Sequence, residues 1–315
     1  MSLYKCLKIF ITLILAYFFG AFLINSEKKL NAKEGEETIN LLLKAKDGVL
    51  NLKDYDFKSK GNLILKGEWL FFWEKLLKPE KLKFHELKKE SQLISLPGFW
   101  NDLNYKKNKK VPYGPMGFGS FLLKVKGIEK TKKLGISIKS FSTNYNLFII
   151  QNNVVQKWGG KGFVGTTKNQ STPQLGPKFN DFKVGPGPFY ILIHSSNFHY
   201  RGGGLLNDMK IGLKESLKIS FDNNKIQNFF TLGIFLIMSL YHFGLFIQRR
   251  EDKGSFWFGL FCMVVVLRFL SNDSYLDGMF TEPGLFSFHL NRKIEFLTFY
   301  LGGPVFFEFL RFLFP

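Results

Sequence analysis

FFTLGIFLIMSLYHFGLFIQRR, residues Phe229–Arg250, decides how this chain is built. No charge stands between Phe229 and Gln248, and two arginines come at once after it. A helix needs about twenty apolar residues to cross ~30 Å of hydrocarbon. Two more apolar segments stand close by, Ser255–Leu270 and Ile294–Phe314, and the sequence ends at Pro315. The expectation is therefore three membrane helices, at 229–248, 255–270 and 294–314, with no cytoplasmic catalytic module after them. Arg249, Arg250 and Lys253 make the first loop basic despite Glu251 and Asp252, which places it in the cytoplasm. The polar loop 271–292 is then external.

The other end of the chain agrees with that topology. Lys5 and Lys8 precede an uncharged run from Ile9 to Ile24. A cationic start before an apolar stretch is an export signal or an uncleaved anchor, assigned to residues 1–26. Either way, the residues after about Glu27 go outside the cytoplasmic membrane.

Residues 30–225 read as one strand-rich exported domain. Short apolar runs recur at Asn62–Leu65, Ser120–Lys126, Leu134–Ile138, Asn146–Ile150, Phe189–Ile193 and Met209–Leu213. Turn clusters separate them, among them Gly114-Pro115-Met116-Gly117, Trp158-Gly159-Gly160-Lys161-Gly162, Gly185-Pro186-Gly187-Pro188 and Gly202-Gly203-Gly204. Many short strands with Gly and Pro between them indicate a sandwich. One helical piece is expected near Trp73–Leu77.

The net charge is +19, with lysines densest at Lys75–Lys89 and Lys106–Lys110. Neither cluster carries a nucleic-acid motif, so nucleic acid is not expected as a partner. A basic surface or contact with anionic lipid headgroups accounts for the charge. The two cysteines, Cys6 and Cys262, each lie in an apolar segment and make no disulfide framework.

Several stretches together resemble a family, the bacterial seven-transmembrane receptors with diverse intracellular signalling modules. They are Gly48-Val49-Leu50-Asn51-Leu52 with Asp54, then Leu65-Lys66-Gly67-Glu68-Trp69-Leu70-Phe71-Phe72-Trp73, then Leu76, Leu77 and Pro79. Leu96-Pro97-Gly98-Phe99-Trp100 and Gly117-Phe118-Gly119-Ser120-Phe121 come next. Ser196-Asn197-Phe198 with Arg201-Gly202-Gly203 is similar to the stretch that closes the exported domain. Leu240-Tyr241-His242-Phe243-Gly244-Leu245 with Arg249-Arg250-Glu251-Asp252 resembles the first receptor helix and its loop. Glu295–Tyr300 and Leu313-Phe314-Pro315 resemble the third. The resemblance spans roughly 45–315 and implies an exported jelly-roll sandwich, similar to carbohydrate-binding modules, ahead of helices. Against the family, the chain reads as truncated after the third receptor helix, as a split gene product, or as a fragment.

Two sets of residues are candidates for function. Trp158 stands in a Gly-rich tract, and Asn197, His199 and Arg201 alternate beside Phe198. An indole can stack on a sugar ring while fixed donors grip hydroxyls or a carboxylate, so these four form a candidate ligand patch. The competing reading makes Asn197 a turn cap and Arg201 a surface residue. For the other aromatics, Trp69, Phe72, Trp73, Trp100 and Phe118, core packing competes with stacking, and Trp69→Ala should cost about 3–5 kcal/mol if it is core. Arg268 and Glu295 are ionisable groups near the outer ends of their helices, and either pair or reach water separately. His194 and His199 lack a third ligand at useful spacing, so neither metal nor cofactor is expected. No G-x-S-x-G, Walker loop or zinc signature occurs, and enzymatic activity is not expected.

The reading is a receptor-type sensor whose exported sandwich binds a small molecule or carbohydrate and whose helices relay the event. Its competitor is a tethered surface protein that binds envelope polysaccharide. Self-association, or a separately encoded remainder of the receptor, is expected to complete the helical part.

Overall fold

A computed structural model describes residues 43–105, 113–205, 207–272, 274–276 and 284–314. The chain divides into two compact units, Met1–Lys44 and Ala45–Pro315. The first, with the expected export signal and Cys6, lies almost wholly outside the described residues, as does the Lys106–Lys110 cluster.

The second unit begins as an antiparallel β-sandwich. Its large sheet has the order β10-β9-β12-β6-β3-β4: Val154–Lys161, Asn144–Gln151, Phe189–Asn197, Gly117–Lys126, Gly67–Trp73 and Gln92–Leu96. β1 (Val49–Asn51) runs parallel to the far end of β6, beyond the stretch that β3 occupies. The small sheet has the order β11-β7-β14-β2: Lys178–Val184, Lys132–Ile138, Met209–Leu213 and Leu63–Ile64. A third, short ladder joins β5 (Gly98–Phe99), β13 (Gly204–Leu205) and β8 (Phe141–Ser142).

The alternation of strand side chains explains the core. On β6, Phe121, Leu123 and Val125 share one face of the large sheet, and β12 adds Phe189, Ile191 and Ile193 at matching register. Phe189 meets Phe182 of β11, with ring centroids 6.0 Å apart, which fixes that face as the one between the sheets. The opposite parity is buried too. Leu70, Phe72, Leu122, Ile150 and Leu192 form a second cluster under Leu77 and Phe84. So the segment Lys75–Glu90 lies over the outer face of the large sheet.

Two buried polar side chains pin that cover. Ser120 Oγ donates to the Lys75 carbonyl at 2.7 Å and accepts from the Leu77 N–H at 3.0 Å. His194 Nε2 lies 2.9 Å from the Leu77 carbonyl. The helical piece expected at Trp73–Leu77 is not there. Trp73 ends β3, and helix appears later, as a 3₁₀ turn at Pro79–Lys81 and helix α2 (Phe84–Glu90) after the short α1 (Phe57–Lys60). Of this stretch, Leu77 packs into the outer-face cluster and Trp73 against Trp100, so neither builds a helix face.

Three long helices complete the unit. α3 (Lys214–Gln248) starts directly after β14 with no linker. At 35 residues it is about 52 Å long at 1.5 Å per residue, well beyond the ~30 Å of hydrocarbon. Its first turns fold back over the small sheet. Leu217 is buried there, and Gly135 of β7 leaves the room: a Cβ on it would come within 2.7 Å of Phe179 and 3.4 Å of Leu217. Phe221 meets Phe179 at 5.9 Å, and Lys214 pairs with Asp181 at 2.5 Å. α4 (Lys253–Asn272) is capped by Asp252, whose carboxylate accepts from the Ser255 N–H at 3.1 Å. α5 (Leu285–Leu313) starts at Leu285, not at Ile294, so Arg292 and Lys293 are helical and not part of a polar loop. All three helices are long and apolar enough to cross a membrane.

Helix packing is tight where side chains are small. Ser239 Oγ donates to the Gly259 carbonyl at 2.8 Å, joining α3 to α4. Phe258 and Phe309 meet at 4.9 Å, and Phe261 and Phe306 at 5.0 Å, between α4 and α5.

A candidate functional site at the seam between sandwich and helices

The loop after β12 carries Asn197, His199 and Arg201, and it closes an Asx turn. Asn197 is fully buried. Its Oδ1 accepts from the N–H groups of His199 (3.3 Å) and Tyr200 (3.0 Å). Its Nδ2 donates to the carbonyls of Pro115 (2.8 Å) and Tyr200 (2.7 Å). All its hydrogen-bonding capacity is thus engaged inside the fold, and it shapes the loop instead of presenting a donor to solvent. Arg201 is exposed at the tip of that loop.

His199 points the other way, at the start of α5. Its ring lies 6.5 Å from Phe288 and 6.0 Å from His289, measured between centroids. Loss of solvent pulls its pKa below the usual imidazole value; the nearby His289 and Lys168 push the same way, against a backbone hydrogen bond to Ser171. The seam is therefore built for neutral His199. A lowered folded pKa means that the stabilisation is present above the unfolded value, about 6.5, and is lost as pH falls through the folded one. Acidification from pH 7.5 to 5 is expected to lower the thermal stability of the full chain in detergent, and by less in His199→Gln. Equal losses in both proteins would exclude His199 as the cause.

Beside this contact the sandwich and the helices enclose a cleft of about 240 Å³. Lys139, Tyr200 and Asn207 line it from the sandwich, and Asn272, Arg292 and Glu295 from the helices. Arg292 and Glu295 form an ion pair one turn apart, with both side chains under one-fifth exposed. Arg268 also reaches Glu295, but through its backbone: Arg268 Nη1 donates to the Glu295 carbonyl, while its guanidinium lies over Phe299 at 5.7 Å. The expected Arg268–Glu295 charge pair is corrected accordingly. The carboxylate belongs to Arg292, which the late helix start had placed in a loop. Asn291 closes the same corner, its Nδ2 donating to the Ser271 carbonyl at 3.0 Å.

Trp158 is not part of this seam. It sits within strand β10, at a register shift between Lys157 and Gly159, and not in a turn. Its side chain lies outside what the structure describes. β9 separates β10 from β12, and Gly159 is level with Leu147, which pairs with Ile193. The Trp158 backbone is therefore two strands across and about 13 Å along the strand direction from Asn197. Trp69, Phe72 and Trp100 are buried core residues.

One buried polar network escaped the sequence reading. Asn144 Nδ2 donates to Ser171 Oγ at 2.8 Å, and Asn144 Oδ1 accepts from the N–H (3.0 Å) and hydroxyl (2.9 Å) of Ser196. Ser171 and Ser196 hydroxyls lie 3.0 Å apart, and the Gly165 N–H donates to Ser196 at 3.2 Å. It ties the 163–174 segment to the large sheet beside the His199 loop. Among the described residues no group of three or more His, Cys, Asp or Glu side chains gathers to hold a metal.

An antiparallel sandwich joined without a linker to helices long enough to span a bilayer is the architecture of a membrane receptor-type sensor. Residues 225–315 match the family described as 7TM diverse intracellular signalling, so the helical part of this chain is similar to that family. No curated protein matches the chain. Among solved structures, a β-glucuronidase of Faecalibacterium prausnitzii is similar at 12% identity and a TM-score of 0.32, over 48% of this chain and 31% of that one. One from an uncultured Clostridium sp. gives 11% and 0.34, over 49% and 29%. That of Ruminococcus gnavus gives 12% and 0.31, over 48% and 28%. This chain spans less than a third of those enzymes, and the likeness says nothing of its activity.

Proposed function

We propose that this protein senses a small external ligand, a carbohydrate or small acid, and passes the event to its membrane helices without catalysis of its own. One observation carries the reading: β14 of the small sheet runs straight into α3, and α3 reaches the membrane as one helix. A tether needs no such stiff connection. The His199 contact with α5 and the shared cleft add a second link. The orientation we propose has the sandwich outside the cytoplasmic membrane and Arg249–Lys253 inside, from the basic first loop. Arg201 at the loop tip is the proposed ligand contact, with His199 behind it facing α5, Asn197 holding the loop, and Trp158 a separate stacking position on β10.

The test uses the full chain in nanodiscs, screened against glycans and small carboxylic acids by thermal shift. A binding compound is expected to lose at least tenfold in affinity on Arg201→Ala. Inserting Gly-Gly between Leu213 and Lys214 is expected to preserve that affinity while abolishing any ligand-induced change in thiol labelling at cysteines placed in α4 and α5. A ligand response that survives the insertion would favour the tether.

A further inference from the structure

Among the described residues, α3 packs with part of its surface only. Leu217 and Phe221 face the small sheet, and Phe235, Ser239, Phe243 and Phe246 face α4. The opposite side carries Ile219, Asn223, Ile226, Phe230, Gly233, Ile237, Leu240, Gly244 and Ile247. Their spacing alternates four and three without a break over four heptads. That is a strict 3.5-residue period, the a/d pattern of a left-handed coiled coil, and not the 3.6 of a lone helix.

Lipid cannot account for the whole stripe. Ile219 and Ile226 are 61% and 64% exposed, and they stand among Lys214, Glu215, Lys218, Asp222 and Lys225. A segment so charged is not in hydrocarbon. Nothing else in the described chain covers these two isoleucines. The stripe then continues unchanged into the apolar half of the helix, where Phe230, Ile237, Leu240 and Ile247 are also exposed. One occupant that runs along both halves must itself be a helix that leaves the membrane at the same level.

We propose that this stripe is a self-association seam, filled by α3 of a second copy of the chain in parallel. Copies of one chain share one topology, so their α3 helices run parallel at equal depth. Asn223 supports the choice. With Ile219 and Ile226 at d, Asn223 falls at a, where a lone Asn in a parallel pair bonds to its own counterpart and fixes register and stoichiometry. Gly233 and Gly244 lie on the same seam, and a Cβ on either would meet nothing among the described residues, so they leave space for a close backbone. In a straight helix the stripe would drift by about 80° between Ile219 and Ile247, and a left-handed supercoil removes that drift.

The experiment places single cysteines in the full chain, with Cys6 and Cys262 replaced by Ala, expressed at low level and oxidised in native membranes. Ile219→Cys and Ile226→Cys are expected to give a disulfide-linked species of twice the chain mass. Asn224→Cys, also exposed but off the seam, is expected to give at least tenfold less. Asn223→Val, added to Ile226→Cys, is expected to spread the products to off-register and higher-order species. Equal crosslinking at 224 and 226, no crosslinking at either isoleucine, or adducts only to proteins of other mass would each overturn the proposal. As a readout independent of oxidation, light scattering of the purified chain in detergent should show a dimer, and a monomer with Ile219→Asp and Ile226→Asp combined. A monomeric parent chain would also overturn it.

Discussion

Trp100→Ala is expected to cost the sandwich about 3–5 kcal/mol, a loss on the scale of a domain's whole margin. The indole is fully buried. Phe71 and Phe121 stack near it at 6.1 and 6.2 Å, and Trp73 meets it edge-on at 5.6 Å. Its Nε1 donates to the Gly114 carbonyl at 3.1 Å. The backbone of Gly203 lies directly on the ring, where a Cβ would approach Cζ2 to 1.8 Å. Truncation would therefore empty a space whose walls are rigid rings and hydrogen-bonded main chain, which collapse poorly. It would also orphan the Gly114 carbonyl and loosen the Gly202–Leu205 stretch just past the Arg201 loop. Urea unfolding of the full chain in micelles, tracked by circular dichroism, measures the loss. Trp100→Phe is expected to recover part of it. A cost below about 1 kcal/mol for the Ala variant would show that the ring is not core.

The second large effect is expected at Asn144. Replacing it by Ala removes one acceptor and one donor from a fully buried site. The N–H and hydroxyl of Ser196 lose their acceptor, while the Ser171 hydroxyl keeps only Ser196. Each buried group left without a partner costs about 1–3 kcal/mol. Asn144→Asp keeps the acceptor but introduces a charge with no cationic partner among its bonds, so it should be no better at neutral pH. The measurement is protease nicking at residues 163–174, where both variants are expected to be cut much faster than the parent chain. Unchanged nicking would mean that the network does not hold that segment.

The sandwich was legible because its strands are short and its turns are chemically marked. Ser120–Lys126, Leu134–Ile138, Phe189–Ile193 and Met209–Leu213 all fall inside observed strands. Where the reading went astray, local composition misled. Trp158–Gly162 looks like a turn because three of its residues are glycines, yet Gly159, Gly160 and Lys161 pair with β9. The bulge at Trp158 is what those glycines allow. α3 looked shorter because Lys214–Lys225 is charged, and an apolar criterion finds only its membrane half. The buried Asn144–Ser171–Ser196 network was invisible because its members stand 25 or more residues apart and none titrates.

The direct passage from β14 into α3 also sets a mechanical scale. The first turns of α3 are clamped to the small sheet by Leu217, Phe221 and the Lys214–Asp181 pair. The helix is then a lever whose short arm lies on the sandwich and whose long arm crosses the bilayer. The arm beyond the clamp, from Phe221 to Gln248, is about 40 Å long, so a tilt of only about 5° displaces its far end by roughly 3–4 Å. That is more than half a helical turn, larger than the ~1–2 Å helix shifts by which packed interfaces switch. A rearrangement of the strands by about an ångström would in this way reach the far end of α3 as a step between discrete packings.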